Sequence, residues 1–575
     1  MSVSNGLCAR CQVELETSQE GQRLPPLGSQ KLSSCYIPSD AELAEIPSLL
    51  EAKHWQQDID HYSCEIDRLS AILAALRARR DELQRDMDQY KAFISPFRRI
   101  PAEILTEIFS FCCCDGELNA YGLEISRDGI VATTLALSQT CSLWRSIVRF
   151  SPRLWSRLSV NLAYRGKGME DLIKLYLHHS GDVPLDLNLF GHDTVIDEDH
   201  PEDHYAGRLT ANGWSVLLSI LQEHRRWYDV RVDCPCDILN DYRINIYACN
   251  PANGHFDTLR SLTLVCEFDA YFEENYLFRL LGGRNAPLLE CLDTNLFIFE
   301  DDLDLQFSHL RKLTVRQNRS DWRLLDVFQK CTNLKEATIL TDSLEIDDGD
   351  QQGIVIHEKL RSLKIEGVGQ MPFDAPLLAL SFLTLPALTT LDLTTSAGSE
   401  LLYGAKLHLT DMLVRSSCAL QELRLSGELF ESDEDLLDVL QLTPTVTCFV
   451  LNAHTQYRSY FTRNFFHNLT FDNARLAQSS GTLLPSLKKC RFAFRADDDR
   501  QTHDFLPDVV AILSMLASRR SLAREQLETF ELSAHLFPDP DSRVWVRSLE
   551  SAMCSLSKEK MILKTDVRFF LDAVI

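Results

Sequence analysis

The sequence lacks several features that would place the chain in familiar classes. It has no apolar run close to the ~20 residues that a membrane-spanning helix needs, and it begins MSVSNGLCARC, without a charged-then-apolar secretory start. It is also short of basic residues: 58 Lys and Arg stand against 83 Asp and Glu, a formal net charge of -25. That charge argues against binding to nucleic acid or an anionic membrane. We therefore expect a cytoplasmic and/or nuclear protein with neither kind of partner.

The motifs of common catalytic sites are also missing. The sequence contains no GxSxG nucleophile turn, HExxH zinc helix, Walker loop or GxGxxG fingerprint. Most of the 18 cysteines stand singly in apolar runs, where a thiol acts as a small hydrophobic group. Cys8 and Cys11 form an isolated CxxC pair, and the acidic, His-containing segment 192–204 shows no pattern that would fix metal ligands. We expect no enzyme activity, no cofactor and no metal.

Two patterns divide the first hundred residues. Residues 1–46 are rich in Ser, Gly, Gln and Pro and show little periodicity, which predicts a disordered tail. From 47 to 95, apolar residues recur at alternating spacings of four and three, the heptad pattern of a coiled coil. Ser48 and Glu51 have the spacing of a capping box that would start this helix. Arg80 interrupts the apolar seam, whose central members are Ile66, Leu69, Leu73, Leu76, Leu83 and Met87.

A single helix of this kind cannot bury its own seam. At 1.5 Å per residue the segment would form a rod of roughly 70 Å. Either a second copy of the chain pairs with residues 48–94, which gives a homodimer, or another part of the same chain folds back on the seam. The length of the regular heptads favours the homodimer, and both alternatives remain open.

A leucine-rich pattern recurs from residue 161 to the end. Apolar residues follow the spacing L-x-x-L-x-L, as Leu360, Leu363 and Ile365 do, and the copies lie about 21–41 residues apart with helical stretches between them. A strand and a helix in each copy predict an α/β solenoid, an irregular leucine-rich-repeat horseshoe. The stretch TQYRSYFTRNFFHNLTF, between Leu451 and Leu487, is expected to interrupt it.

A third pattern occupies residues 96–160, between the heptads and the repeats. The stretch IPAEILTEIF predicts a short amphipathic helix, and a second helical stretch, LSQTCSLWRSIV, ends at a Ser-Pro break that a Leu-Trp pair follows. This arrangement resembles the F-box, whose pattern is an L/I-P-x-E-I-L-x-x-I-F opening, a Leu-x-x-x-Cys-x-x-Trp helix and a Leu-Trp pair. The stretch 112–134, an insertion relative to that family, is expected to loop out.

The resemblance implies a function. F-box helices dock onto a Skp-type adaptor, which links them to a cullin–RING ubiquitin ligase. The implied adaptor-binding residues are Ile100, Pro101, Ile104, Leu105, Ile108, Phe109, Leu137, Cys141 and Trp144. The whole plan, a long heptad helix, a small all-α F-box and degenerate leucine-rich repeats, is similar to F-box proteins abundant in fungi. The repeats would then bind an unknown protein substrate. The alternative is a non-enzymatic repeat scaffold that self-associates through its heptad helix.

Candidate substrate contacts follow from the repeats. Because strand side chains alternate, residues between the apolar positions point to one face of the sheet. Such positions are occupied by the candidate substrate-binding residues Arg316, Lys364, Arg424 and Arg491. The alternative is a face that is merely soluble, with the substrate bound elsewhere.

Overall fold

The computed structural model describes most of the chain after residue 35 and divides it into two compact units, Met1–Pro101 and Ala102–Ile575. Each unit is described separately below. The described residues are 36–52, 55–94, 96–114, 120–191, 209–235, 238, 241, 243–244, 255–265, 286–295, 307–317, 324–341, 353–367, 374–395, 404–454, 460–471, 483–495, 506–521, 526–536, 540–556 and 562–569. Most of the predicted tail, the CxxC pair and the segment 192–204 lie outside them.

The described part of the first unit contains two helices, α1 (Asp40–Ala52) and the long α2 (Trp55–Phe93), followed by a 3-10 turn, Pro96–Arg99. The long N-terminal helix is confirmed. Its predicted start at residue 47 is wrong, because helical structure begins at Asp40 and Pro47 lies inside α1. Ser39 precedes α1, and its backbone N–H and hydroxyl both donate to the Glu42 carboxylate at 2.9 Å, which supplies the carboxylate half of a capping box. The side chain of Glu51, from the predicted capping box, lies outside the described ones.

The second unit begins with helices α3 (Ala102–Cys114), α4 (Thr133–Thr140) and α5 (Ser142–Arg149), which a 3-10 turn, Pro152–Trp155, follows. We call residues 102–155 the three-helix segment. Its helices pack on one another and on the 3-10 turn, which leads directly into the first repeat strand.

The stretch between α3 and α4 does not loop out as predicted. Its first residues complete α3, and a hairpin of β1 (Leu123–Ser126) and β2 (Gly129–Val131) follows. Strand β1 runs parallel to the first repeat strand, with Ile125 opposite Val160. Leu123 and Ile125 are fully buried. Residues 96–160 are therefore not all-α, because the insertion covers an edge of the sheet that would otherwise expose unpaired backbone groups.

In the part of the second unit that the structure describes, sixteen strands form one long sheet, and all neighbouring strands are parallel except the β1–β2 hairpin. Strand and helix alternate along the chain, which is consistent with a leucine-rich-repeat-like solenoid. Its repeat strands are β3 (Arg157–Asn161), β4 (Leu185–Phe190), β5 (Trp227–Asp233), β6 (Ser261–Val265), β7 (Cys291–Thr294), β8 (Lys312–Gln317), β9 (Glu336–Thr341), β11 (Ser362–Gly367), β13 (Thr390–Thr395), β14 (Glu422–Ser426), β15 (Cys448–His454), β16 (Lys489–Arg495), β17 (Thr529–Leu536) and β18 (Ile562–Phe569).

Short strands β10 (Val355–Ile356) and β12 (Leu383–Thr384) form a separate pair. Among the described residues, the helices between the strands are α6 (Met169–Ser180), α7 (Ala211–Gln222), α8 (Leu324–Lys330), α9 (Asp374–Leu380), α10 (Ala405–Ser416), α11 (Asp433–Gln441), α12 (Arg463–Leu469), α13 (Val509–Ser521) and α14 (Pro540–Leu556). The core lies between the sheet and these helices, and the apolar positions of the L-x-x-L-x-L pattern fill it: Leu360, Leu363 and Ile365 are fully buried.

The predicted interruption after Leu451 is also wrong. Strand β15 pairs directly with β16, with Leu451 opposite Phe492. The intervening stretch contributes α12, whose N-cap is the Thr462 hydroxyl. Phe465 and Phe466 of α12 are fully buried and lie 5.6 and 5.9 Å from the Phe492 ring. This stretch belongs to the core because its aromatic residues replace the leucines of other repeats; residues 455–459 lie outside the described ones.

Candidate functional site

Helix α3 is built around one buried row of side chains. Leu105 and Phe109 are 1% exposed, and Cys113 is fully buried. The Phe109 ring lies 4.8 Å from the ring of Trp144 on α5, centroid to centroid. An aromatic pair of this kind adds about 0.5–1.5 kcal/mol to the gain from burial. These side chains hold the three helices together, so Leu105 and Phe109 do not offer the partner-facing surface that was predicted for them.

The turn between α4 and α5 is fixed by Cys141. This residue is extended and caps α5, with its Sγ accepting the backbone N–H of Trp144 at 3.4 Å. Cys141 is itself exposed, whereas Leu137 and Trp144 are half-buried. The structure therefore places these three predicted residues on α4, on α5 and in the turn between them, and leaves part of each accessible.

The Leu-Trp pair anchors the segment to the repeats. Trp155 is buried; its indole N–H donates to the Val148 carbonyl at 2.9 Å, and its ring lies 4.8 Å from that of Tyr176 on α6. The Tyr176 hydroxyl in turn donates to the Gly122 carbonyl at 2.9 Å. Gly122 has no room for a side chain, because a Cβ there would lie 2.4 Å from the Leu154 carbonyl oxygen. The segment, the insertion and the first repeat thus pack as one body.

A second row on α3 stays uncovered. Ile104, Ile108 and Phe111 are 53%, 42% and 56% exposed. Their spacing of four and then three residues places them on one helical face, about 10 Å long. We call these three residues the uncovered stripe. The sequence motif identified Ile104 and Ile108 but not Phe111, which extends the same spacing beyond the end of the family pattern.

Ile100 and Pro101, the first two predicted adaptor contacts, are the last residues of the N-terminal unit. Ile100 is half-buried and Pro101 is exposed.

The heptad seam of α2 is exposed along its length. All six central members are large apolar side chains with considerable accessible surface; Ile66 and Leu76 are 62% and 63% exposed, and Leu69, Leu73, Leu83 and Met87 are exposed as well. Arg80, the charged residue in the seam, forms an ion pair of 2.6 Å with its neighbour Asp81. The side chains of the described residues therefore leave this seam available to a partner helix.

The candidate substrate residues lie on the sheet as expected, and each already has a carboxylate within 4.0 Å. Lys364, Asp392 and Arg424 occupy one row across three adjacent strands. Lys364 Nζ lies 2.7 Å from the Glu366 carboxylate, and Arg424 lies 2.6 Å from Glu422 and 4.0 Å from Asp392. Burial raises the pKa of Asp392, while Lys364 and Arg424 act in the opposite direction.

The two remaining candidates behave in the same way. Arg316 donates twice to the Asp293 carboxylate at 3.1 Å. Arg491 lies 3.8 Å from Glu531, a carboxylate that it shares with Lys564 at 2.7 Å. The hydrogen bond with Asp293 raises the pKa of Arg316. Binding an anionic group at any of these four cations would first require an existing ion pair to open or be shared.

At the first repeats, a large polar cavity lies on the sheet. It has a volume of about 840 Å³ and is lined by Arg157, Asp186 and Asp229, among others. Burial raises the pKa of Asp186 to about 6, helped by the neighbouring Asp229 charge and opposed by Arg157. Sequence reasoning missed this group, since a single Asp within LDLNLF carries no local signal of its environment.

No helix among the described residues is both long and apolar enough to cross a membrane. In the same residues, no three His, Cys, Asp or Glu side chains come together in a way that would hold a metal ion.

No known protein family matches the chain, and no curated protein does either. The likeness of the three-helix segment to an F-box therefore rests on its motif.

Proposed function

We propose that the chain is the substrate-recognition subunit of a Skp–cullin–F-box ubiquitin ligase. The three-helix segment docks a Skp-type adaptor, and the repeats bind the protein substrate. Ubiquitin transfer takes place on other subunits, and this chain contributes proximity: a tethered substrate lysine reaches a high effective concentration near the conjugating enzyme.

The uncovered stripe is the observation that supports the proposal. A soluble chain gains by covering Ile104, Ile108 and Phe111, each of which still exposes about half of its side chain. Full burial of such a side chain stabilises by about 1.5–3 kcal/mol, so covering the remaining half of all three contributes roughly 3 kcal/mol. That free energy corresponds to about a hundredfold in affinity. Burial of the stripe would therefore contribute enough free energy to anchor a partner helix.

The test is co-purification of the full chain with a Skp adaptor. Ile104→Glu with Ile108→Glu should lower adaptor recovery about a hundredfold or more, because two charges enter an apolar interface. The matched control is Ile354→Glu with Ile356→Glu, two isoleucines on and beside β10 that are 60% and 65% exposed. This control should bind like the wild type.

Two results would count against the proposal. A correctly folded wild-type chain that recovers no Skp adaptor removes the ligase function. Equal loss in the stripe variant and the β10 control would show that the stripe has no special role. Leu105→Ala is unsuitable as a probe, because Leu105 is buried and its loss would unpack the helices.

A repeat scaffold that self-associates remains the second candidate. The exposed seam of α2 favours self-association, and it is compatible with either function. A chain that dimerises and ignores every Skp adaptor would be a scaffold.

A further inference from the structure

A row of cations borders the sheet where three consecutive repeat strands begin. Arg311, Lys335 and Arg361 directly follow the first leucine of their repeats. The Lys335 N–H donates to the Arg311 carbonyl at 2.7 Å, and the Arg361 N–H donates to the Lys335 carbonyl at 2.8 Å. Because adjacent strands lie about 4.8 Å apart, the three residues form a continuous row of roughly 10 Å. We call it the rim row.

The rim row differs from the sheet face in its counter-charges. Lys335 and Arg361 are exposed, and no carboxylate of the described residues lies within 4.0 Å of either cation. Arg311 lies 3.7 Å from the Glu290 carboxylate, which forms a closer ion pair of 2.9 Å with Arg260. Two of the three rim cations, Lys335 and Arg361, thus have no carboxylate partner among the described residues, and the third shares one.

The loops before the strands complete a groove beside the rim row. It has a volume of about 460 Å³ and is lined by His309, Asn333 and Lys359 as well as by Arg311 and Lys335. The Lys359 ammonium donates to the Asn333 side-chain oxygen, and the Asn333 amide donates to the Ser308 carbonyl at 2.6 Å. The partner of Lys359 is thus a neutral amide and not a carboxylate.

Two apolar residues also line the groove: Pro287 and Leu288, the latter 44% exposed. The lining therefore combines three cations, Arg311, Lys335 and Lys359, with one carboxylate, Glu290, and an aliphatic surface. Arg361 is not part of the lining and continues the rim row beside the groove. An extended peptide advances about 3.3 Å per residue, so three or four residues span the rim row.

We propose that this groove binds an acidic segment of a partner protein, with carboxylates on the rim row and an apolar side chain on Leu288. Nucleic acid fits less well, because three neighbouring cations neutralise few phosphates and Glu290 and Glu336 flank them. The groove, rather than the face where Lys364 and Arg424 already have carboxylate partners, is then the contact surface for an anionic partner. Binding here does not depend on an adaptor.

The experiment is fluorescence polarisation with the purified full chain at 150 mM salt. The probes are a labelled ten-residue peptide of Asp and Glu with one central Leu, the same peptide with Lys in place of every acid, and a single-stranded oligonucleotide of twenty bases. The variant is Lys335→Glu with Arg361→Glu. The control, Lys488→Glu with Lys489→Glu, makes the same change in charge; Lys488 occupies the rim position of a later repeat, where its N–H donates to the Thr447 carbonyl.

The wild type should bind the acidic peptide saturably and the basic one not at all. The rim variant should weaken that binding about tenfold or more, since two attractive contacts become repulsive, while the control stays within about twofold. The proposal is overturned if the acidic peptide does not bind, if both double variants lose binding equally, or if the oligonucleotide binds more tightly than the peptide. Because no adaptor is present, none of these outcomes bears on adaptor docking.

Discussion

Arg519 offers a sharp test of the fold, because it is a buried cation without a carboxylate partner among the described residues. It is 1% exposed and lies on α13. Its guanidinium donates to the carbonyls of Leu469 and Leu483 at 2.7 Å and of Leu484 at 2.9 Å. It also lies 5.1 Å from the centre of the Phe471 ring. One side chain thus connects the end of α12 to the segment that precedes β16.

The cost of removing it follows from two opposing terms. Burial lowers the pKa of Arg519 from 12.5 to about 10, which corresponds to a desolvation cost of about 3 kcal/mol. Three hydrogen bonds from a charged donor contribute about 1.5–3 kcal/mol each, or roughly 5–9 in total. Arg519→Met keeps the volume, removes both terms and leaves three carbonyls without a donor. The expected loss of stability is therefore about 2–6 kcal/mol.

Hydrogen exchange read by mass spectrometry is the suitable assay, because repeats are stabilised mainly by their neighbours. Arg519→Met should speed exchange in residues 460–471 and 483–495 and leave β3 to β5 unchanged. The control is Arg547→Met, the same substitution at an exposed position of α14, which should change stability by less than about 0.5 kcal/mol. Unchanged protection around α12 in the Arg519 variant would refute the reasoning, as would equal effects of the two substitutions.

Two further predictions concern Asp186 and the heptad seam. The pKa of Asp186 is raised from 3.8 to about 6, so the fold binds a proton at this carboxyl more tightly than the unfolded chain does. The resulting contribution to the free energy of unfolding is fully present below about pH 4 and is lost as pH rises through 6. Asp186→Asn should therefore stabilise the chain by about 1–2 kcal/mol at pH 7.5, a value discounted for the partial exposure of this side chain, and should have little effect at pH 4. The midpoints of urea unfolding at the two pH values test this. The control is Asp182→Asn, the same substitution at an exposed position. The full chain should be dimeric by light scattering at micromolar concentration, and Leu69→Asp with Leu76→Asp should make it monomeric by placing charges in the seam. A monomeric wild type would favour packing of the seam within the chain.

The sequence predicted those elements whose signal is local and repeated. The heptads indicated α2 because a 3.5-residue period identifies a helix without any knowledge of its partner. Strands such as β11 were identified because Leu363 and Ile365 alternate with polar residues and follow another leucine at fixed spacing. The registers then confirm that Lys364 and Arg424 lie in one row, since equal positions in equal repeats must align.

Elements were missed where a repeat departs from that pattern. Strand β7 has a buried Thr294 in place of the third apolar residue, and β4 lacks the leading leucine of the L-x-x-L spacing. The hairpin of the insertion has only Leu123 and Ile125 to mark it, which is too short a signal. Strand β1 of this hairpin forms because it pairs with the open edge of β3. That pairing is a tertiary interaction, which a local sequence pattern does not encode.

The candidate site shows a similar limit. Helix α3 is apolar over a wide arc, because the row of Leu105 and Phe109 is adjacent to the row of Ile104 and Ile108. Periodicity identifies both rows as apolar, but only the position of Trp144 decides that the first row faces inward. The sequence therefore predicted the helix and its apolar residues correctly and could not separate internal packing from the uncovered stripe.

The two proposed surfaces depend on different forces, which makes them separable in one preparation. At physiological ionic strength the Debye length is about 8 Å, so the rim row responds to Glu290 and Glu336 beside it rather than to the net charge of the whole chain. Added salt screens the unpaired charges of Lys335 and Arg361 and weakens their attraction for an acidic segment. The uncovered stripe acts by burial of Ile104, Ile108 and Phe111, which salt does not screen. A partner that dissociates as the salt concentration rises is therefore bound at the rim row, and a partner that stays bound is bound at the uncovered stripe.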